Sequence, residues 1–284
     1  MNQAIQPAQL APAVQRGIVA RTQGHGQRGI TRLVSPGDLG ELIKPFVFLD
    51  LFRMGGNAGA GGMGMHPHSG IATVTVVMEG AIEYRETTGQ QGVLRAGGVE
   101  FMHAGGGVWH GGSPHGDAGV AGFQLWLALP AQDENGPAHS QYLAPGQVPS
   151  SGPARVILGN YEGVASLIQP RAALTYLHVK LRDGEQWLYT PPAGHGVAWA
   201  AVGSGALAVG EAVLEGEVAV FDEGGGGLLF TARGDTEFVL GSAARHPYPL
   251  VTGMYSVHTS AAALIQGEHE IRRIGSQLRA AKLI

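Results

Sequence analysis

The chain contains no cysteine, which excludes a disulfide framework, a thiolate metal site and a cysteine nucleophile together. Any transition metal must rest on imidazole and oxygen ligands. Charge is sparse as well: Asp, Glu, Lys and Arg make up 14% of residues, with 18 Lys and Arg against 22 Asp and Glu, a formal net charge of −4. The basic residues are scattered, so no footprint for a nucleic-acid backbone is present and direct nucleic-acid binding is not expected. No apolar run approaches the roughly 20 residues of a membrane span, and the first fifteen residues have neither a basic nor an apolar export segment. The expectation is a soluble cytoplasmic protein without membrane association.

What the chain has in quantity is glycine, 47 residues, with 16 prolines and 44% apolar residues. Many tight turns joining short apolar runs predict an all-β protein, and 284 residues accommodate two domains. Residues 1–16, rich in Ala, Gln and Pro, read as a flexible N-terminal arm. Strands are predicted at Gly17–Arg21, Gly29–Val34 and in the dense apolar run Phe46–Phe52. The segments Thr73–Met78 and Ala81–Glu86, separated by Glu79-Gly80, predict a hairpin. Further short strands follow to Pro130, and Asp133–Gly152, polar and rich in Pro and Gly, reads as a linker. The second half repeats the rhythm, with strands predicted near Leu174–Lys180, Glu185–Tyr189, Val197–Val202, Ala206–Val209, Glu217–Phe221 and Leu228–Thr231. Helix is predicted only at Thr259–Ile265 and Glu268–Leu278, with Thr259 or Ser260 as N-cap. The expected architecture is two jelly-roll barrels in tandem, residues 17–145 and 146–258, and a helical segment at 259–284.

The chemistry concentrates between Gly61 and Gly112. His66-Pro67-His68 enters a strand-like run, and side-chain alternation puts both imidazoles on one face. His110 follows the turn Ala104–Gly107 and reaches the pair only by folding. A His-x-His pair with a distant third histidine is the minimum of a three-nitrogen metal site, although a solvated surface turn would also account for the pair. In the second half His195 has no paired histidine, so no metal is expected there, and Gly224–Gly227 lacks the Gly-Lys-Ser/Thr ending of a phosphate loop.

The segments His66–Thr75, Met78-Glu79-Gly80, Met102–His110 and Phe123–Trp126 resemble the pirin family of bicupins. Phe48-Leu49-Asp50 and Gly253–Val257, followed by a terminal helix, fit the same family, and the similarity runs from about Gly17 onward. The resemblance implies two cupin barrels face to face with a metal, usually iron, in the first barrel only. It places metal ligands at His66, His68 and His110. It also places carboxylates at two positions that are Ala72 and Gly112 here, so both are lost, and strand parity sets Ala72 on the face of His66 and His68. His103 and His115 are the nearby residues able to supply a fourth nitrogen, and Glu100 and Glu83 are candidates to support the ligands.

Three neutral imidazoles leave a divalent ion with more open positions and less binding energy than a site that includes a carboxylate. Fe(II) is the expected metal. Ni, Zn, Cu and Mn remain compatible with the ligand set, as does an unoccupied site. Three readings stay open: a quercetinase-like dioxygenase acting on a small aromatic substrate, a non-enzymatic metal-binding regulator with a protein partner, and a structural bicupin with an empty site. An open apolar cavity lined by Phe48, Phe52 and Trp126 would favour the enzyme, and a closed one the other readings.

Overall fold

The computed structural model describes residues 16–56 and 62–284; the predicted arm, apart from Arg16, lies outside the described residues. The chain is all-β and forms two cupin barrels in tandem with a C-terminal helix. The first barrel sets a seven-stranded sheet against a four-stranded one. The large sheet runs His139–Leu143, Val99–His103, Ile71–Glu79, Val120–Ala128, Phe46–Met54, Ile30–Val34 and His25–Gln27. The small sheet runs Met63–His68, Val108–Pro114, Ala81–Glu86 and Gln91–Arg95.

Strand alternation gives the large sheet two different faces. Leu49, Val74, Val76, Phe123 and Leu125 point away from the barrel interior and join Ile157, Tyr176, Val197, Trp199 and Val220 of the second half in one core. The intervening Asp50, Thr75, Glu100 and Gln124 point inward. That is why Phe46–Phe52 and Ile71–Met78 read as continuous apolar runs: one face is barrel interior and the other is the contact between barrels.

Several sequence expectations change. The predicted hairpin is absent, because Ile71–Glu79 pairs with Val99–His103 and Val120–Ala128, and Ala81–Glu86 pairs with Gln91–Arg95 and Val108–Pro114. Gly80, at φ 71°, turns a corner from one sheet to the other, and a Cβ there would lie 2.1 Å from the Gly119 carbonyl oxygen. The alternation is the same for a corner as for a hairpin, so the pattern cannot separate them. Ile18–Thr22, which sequence order assigns to the first barrel, pairs with Val218–Phe221 of the second. Asp133–Gly152 is no free linker. It contributes the edge strand His139–Leu143, and buried Glu134 accepts hydrogen bonds from the Thr259 amide (2.6 Å) and hydroxyl (2.7 Å).

In the second barrel, Val197–Val209 is one bulged strand rather than two strands around Gly203-Ser204-Gly205, and Leu228–Ala243 extends well past the predicted Thr231. The two predicted helical stretches are one helix, Ala261–Ala280, capped by the Ser260 hydroxyl, which accepts from the Ala263 amide at 3.2 Å. It packs on the first barrel, where the Trp109 indole donates to the Ile271 carbonyl at 2.8 Å. A Cβ at Gly275 would lie 2.5 Å from the Trp109 ring, so this approach requires glycine. No helix among the described residues is long and apolar enough to cross a membrane.

Candidate metal centre

The three histidines come from two adjacent strands of the small sheet. Met63–His68 and Val108–Pro114 pair antiparallel with His110 opposite His66 and Val108 opposite His68, so all three imidazoles enter the barrel from one wall. Their ring centroids are 4.4 Å (His66–His110), 5.0 Å (His66–His68) and 5.1 Å (His68–His110) apart. Potential ligand atoms from all three lie within 4.8 Å of one another, and they are the one such grouping of three among the described residues.

Hydrogen bonds aim the rings. His66 Nδ1 is 2.8 Å from the Gly64 carbonyl oxygen and His68 Nδ1 is 3.0 Å from that of Tyr255. A carbonyl only accepts, so each Nδ1 carries the proton and each Nε2 presents a lone pair. The Nε2 atoms of His68 and His110 are buried without a hydrogen-bond partner. Orphaned buried nitrogens are rare in packed interiors, and two in one cluster are what a metal would satisfy. Burial also holds the rings neutral. The pKa of His66 is lowered; that of His68 lies well below the ordinary value, through burial and then its two histidine neighbours; that of His110 is pushed down to about 3, by burial and then by His66. Neutral imidazoles at pH 7 have no proton to lose on binding an ion.

The structure sorts the remaining candidates. His103 turns out of the barrel and stacks on His139 (centroids 4.6 Å, 20°), and His115 is exposed, so neither joins the cluster. Gly112 does line the cavity beside His110. Ala72 does not: it lies in the core between the barrels. The chain crosses between sheets at Ser69-Gly70, with Gly70 at φ 74°, so alternation restarts and the parity drawn from His66 and His68 does not carry to Ala72. Phe52 lines the cavity, but Phe48 and Trp126 do not. They stack on each other (4.0 Å, 6°) behind His68, whose ring meets Trp126 at 4.8 Å in an edge contact. Glu83 is exposed, whereas Glu100 is buried, with Oε1 3.6 Å from His110 Nδ1.

The cavity in front of the histidines is walled by Ile30, Phe52, Met54, Ile82 and Leu94, with Glu100 and Tyr142 among its polar groups. It holds about 50 Å³ of space open to a water-sized molecule. Sequence reasoning missed the groups that lie behind His68. Ser69 Oγ lies 2.8 Å from Ser256 Oγ and 3.0 Å from His258 Nε2, and His258 Nδ1 lies 3.2 Å from Glu134. This buried network and the Tyr255 carbonyl fasten the C-terminal segment behind His68. Some 187 residues separate the partners, and no local pattern marks them.

Residues 26–127 match the pirin family model. A Pseudomonas aeruginosa protein named "putative quercetin 2,3-dioxygenase" is 31% identical over 243 residues, covering 78% of this chain and 82% of its own. Among solved structures, a quercetin 2,3-dioxygenase from Acinetobacter baumannii superposes with a TM-score of 0.83 at 24% identity, covering 92% of this chain and 98% of that one. A bacterial pirin from Escherichia coli in complex with nickel(II) superposes at 0.63 with 18% identity, over 83% and 98%. Those two likenesses are of fold.

Proposed function

This chain belongs to the pirin family, and we propose that it binds one divalent metal through His66, His68 and His110 and acts as a quercetinase-like dioxygenase on a small aromatic substrate. The observation that carries the reading is the convergence of three neutral imidazoles, two of them with buried, partnerless Nε2 atoms. The Pseudomonas relative is named for this activity. Iron is the metal the family resemblance implies, and the nickel complex of the Escherichia coli pirin makes nickel the alternative. A divalent ion held there supplies Lewis acidity and open positions for a substrate oxygen and for dioxygen.

The rest is done by the chain itself. Gly64 and Tyr255 carbonyls fix the tautomers of His66 and His68. Trp126 and Phe48 brace the His68 ring from behind. Ile30, Phe52, Ile82 and Leu94 offer an aromatic substrate apolar surface and limit water near the histidines. The glycines at 111 and 112 leave the floor beside His110 without side chains.

One observation favours the second reading, a metal-binding protein that acts through a partner: about 50 Å³ is far less than the roughly 300 Å³ lower bound of ordinary ligand pockets. A flavonol enters only if rim side chains such as Met54 and Met63 move. The deciding experiment combines metal analysis of protein purified without chelator with oxygen uptake on flavonols. One equivalent of metal per chain with metal-dependent uptake, both lost in His66→Ala, supports the enzyme. Full occupancy without uptake transfers the assignment to the partner-binding reading.

A further inference from the structure

We propose that Glu100 is the positioning residue of this centre, holding the His110 ring from the opposite sheet in the tautomer that presents Nε2 to the metal. The proposal rests on the metal-binding reading above. His66 and His68 each have a backbone carbonyl to fix Nδ1–H. For His110 the group beside Nδ1 is a side chain, the Glu100 carboxylate, whose Oε1 lies 3.6 Å away, a charge-pair rather than a hydrogen-bond distance, and its negative charge favours the proton on that nitrogen. Glu100 reaches the site by strand parity: on Val99–His103 its neighbours Val99 and Phe101 point to the core between the barrels, and Glu100 points inward.

The carboxylate is itself held. Thr75 Oγ1 donates to Glu100 Oε2 at 2.5 Å, and Gln124 Nε2 donates to Thr75 Oγ1 at 3.5 Å. Every donor in this chain points toward Glu100, so Oε2 is engaged and Oε1 faces the imidazole. The sequence is Gln124 to Thr75 to Glu100 to His110, three groups on the large sheet acting on one ring of the small sheet. A carboxylate behind a ligating histidine fixes ring orientation and raises ligand basicity. Imidazole in water favours the Nε2–H form, which would close this ligand position. Glu86 is the informative contrast: it is also buried, and it is spent on Ser140 (2.8 Å) and the Tyr142 hydroxyl (3.1 Å) rather than on a histidine.

The test uses the full chain and two readouts. In metal-free protein at pH 7, long-range ¹H–¹⁵N correlation spectra of the imidazoles report the His110 tautomer. The parent should show Nδ1–H, and Glu100→Met should shift it toward Nε2–H. Nickel(II) titration should then show Glu100→Met weaker by about 10- to 100-fold, Glu100→Gln weaker by less because it keeps an acceptor, and Glu86→Gln within about threefold of the parent. If Glu100→Met does not fold, Glu100→Gln carries both readouts, since it keeps the shape of the residue. An unchanged tautomer with nickel affinity within about threefold of the parent overturns the proposal. Should the parent itself bind no nickel or iron, the metal reading falls, and the tautomer alone still decides what Glu100 does.

Discussion

The two barrels place opposite chemistry on equivalent inward faces. The first turns His66, His68, His110, Glu100, Thr75, Gln124 and Asp50 toward its interior. The second fills its interior with Trp187, Tyr189, Phe230, Phe238, Leu177 and Val179. Its buried histidines are paired singly rather than clustered: His178 is 2.6 Å from Glu237, and His195 Nδ1 is 2.8 Å from Ser242 Oγ, itself 2.6 Å from the Tyr189 hydroxyl. Burying polar groups costs free energy that burying apolar groups returns, and the first barrel offsets that cost with the apolar walls of its cavity and with its side of the core between the barrels. The second barrel has no cluster of three potential metal ligands among its described residues, and it supplies the other side of the apolar core against which the first barrel's large sheet packs.

The widest separation between the barrels is expected from Phe230→Ala. Its side chain is fully buried among aromatic rings, and truncation should cost about 3–5 kcal/mol of stability in denaturant unfolding. Nickel affinity of the folded variant should match the parent. A loss of affinity along with stability would mean that the interiors are coupled and the division of labour is wrong.

How much of this contrast shows in the sequence depends on whether the signal is local. His66 and His68 are two apart on one strand, so alternation alone puts them on one face, and the family motif brings in His110. The all-β rhythm and the tandem arrangement follow from turns and short apolar runs. Sheet membership does not, because alternation continues through a corner such as Gly80 as it does through a hairpin. The error at Ala72 has the same origin: one residue at positive φ, Gly70, resets the parity. Glu100 is a strand glutamate like Glu83 until the fold shows that one is buried and the other exposed. Tyr255, Ser256 and His258 act at the first barrel from the far end of the chain, which no local pattern encodes.

Next in size is removal of a ligand. His68→Ala should weaken nickel binding by more than about 100-fold, beyond the range for an outer partner, whereas His195→Ala in the second barrel should leave stoichiometry and affinity unchanged. Isothermal titration on both variants measures this. Equal losses in the two would place metal binding outside the cluster.

Acid should distinguish the barrels less strongly. With its pKa at about 3 in the folded protein against roughly 6.5 unfolded, His110 binds no proton in the native state across that window, while the unfolded chain does. Stability of the metal-free protein should therefore be fully present above about pH 6.5 and fall as pH drops toward 3, with His110 contributing about 1.4 kcal/mol per pH unit. Urea unfolding between pH 4 and 6 should show that slope reduced in His110→Gln. His178 is also held below its ordinary value by burial, but its hydrogen bond to Glu237 favours the charged form, so His178→Gln should change the slope less. A larger change from His178→Gln would reverse the assignment of the acid-sensitive interior.

The smallest expected effect is also the finest test of the site's geometry. Gly112 lines the cavity beside His110 and has no left-handed φ, so a side chain there carries no backbone strain of that kind. Its Cβ would sit 3.0 Å from Ile82 Cγ2 and 3.3 Å from the Glu83 carbonyl oxygen, so Ile82 must give by a few tenths of an ångström. Gly112→Glu would lower the formal charge of a bound divalent site and add an oxygen donor. About a tenfold gain in affinity adds roughly 1.4 kcal/mol of stability at saturating metal. Glu100 opposes the gain, since a second carboxylate in the same cavity is repelled when no ion is present. Metal-free Gly112→Glu should therefore melt below the parent, and its nickel-induced rise in melting temperature should exceed that of Gly112→Ala, which shares the steric cost without the charge. Equal rises in the two variants would show that a side chain at 112 does not reach the ion, leaving Glu100 as the carboxylate nearest the cluster.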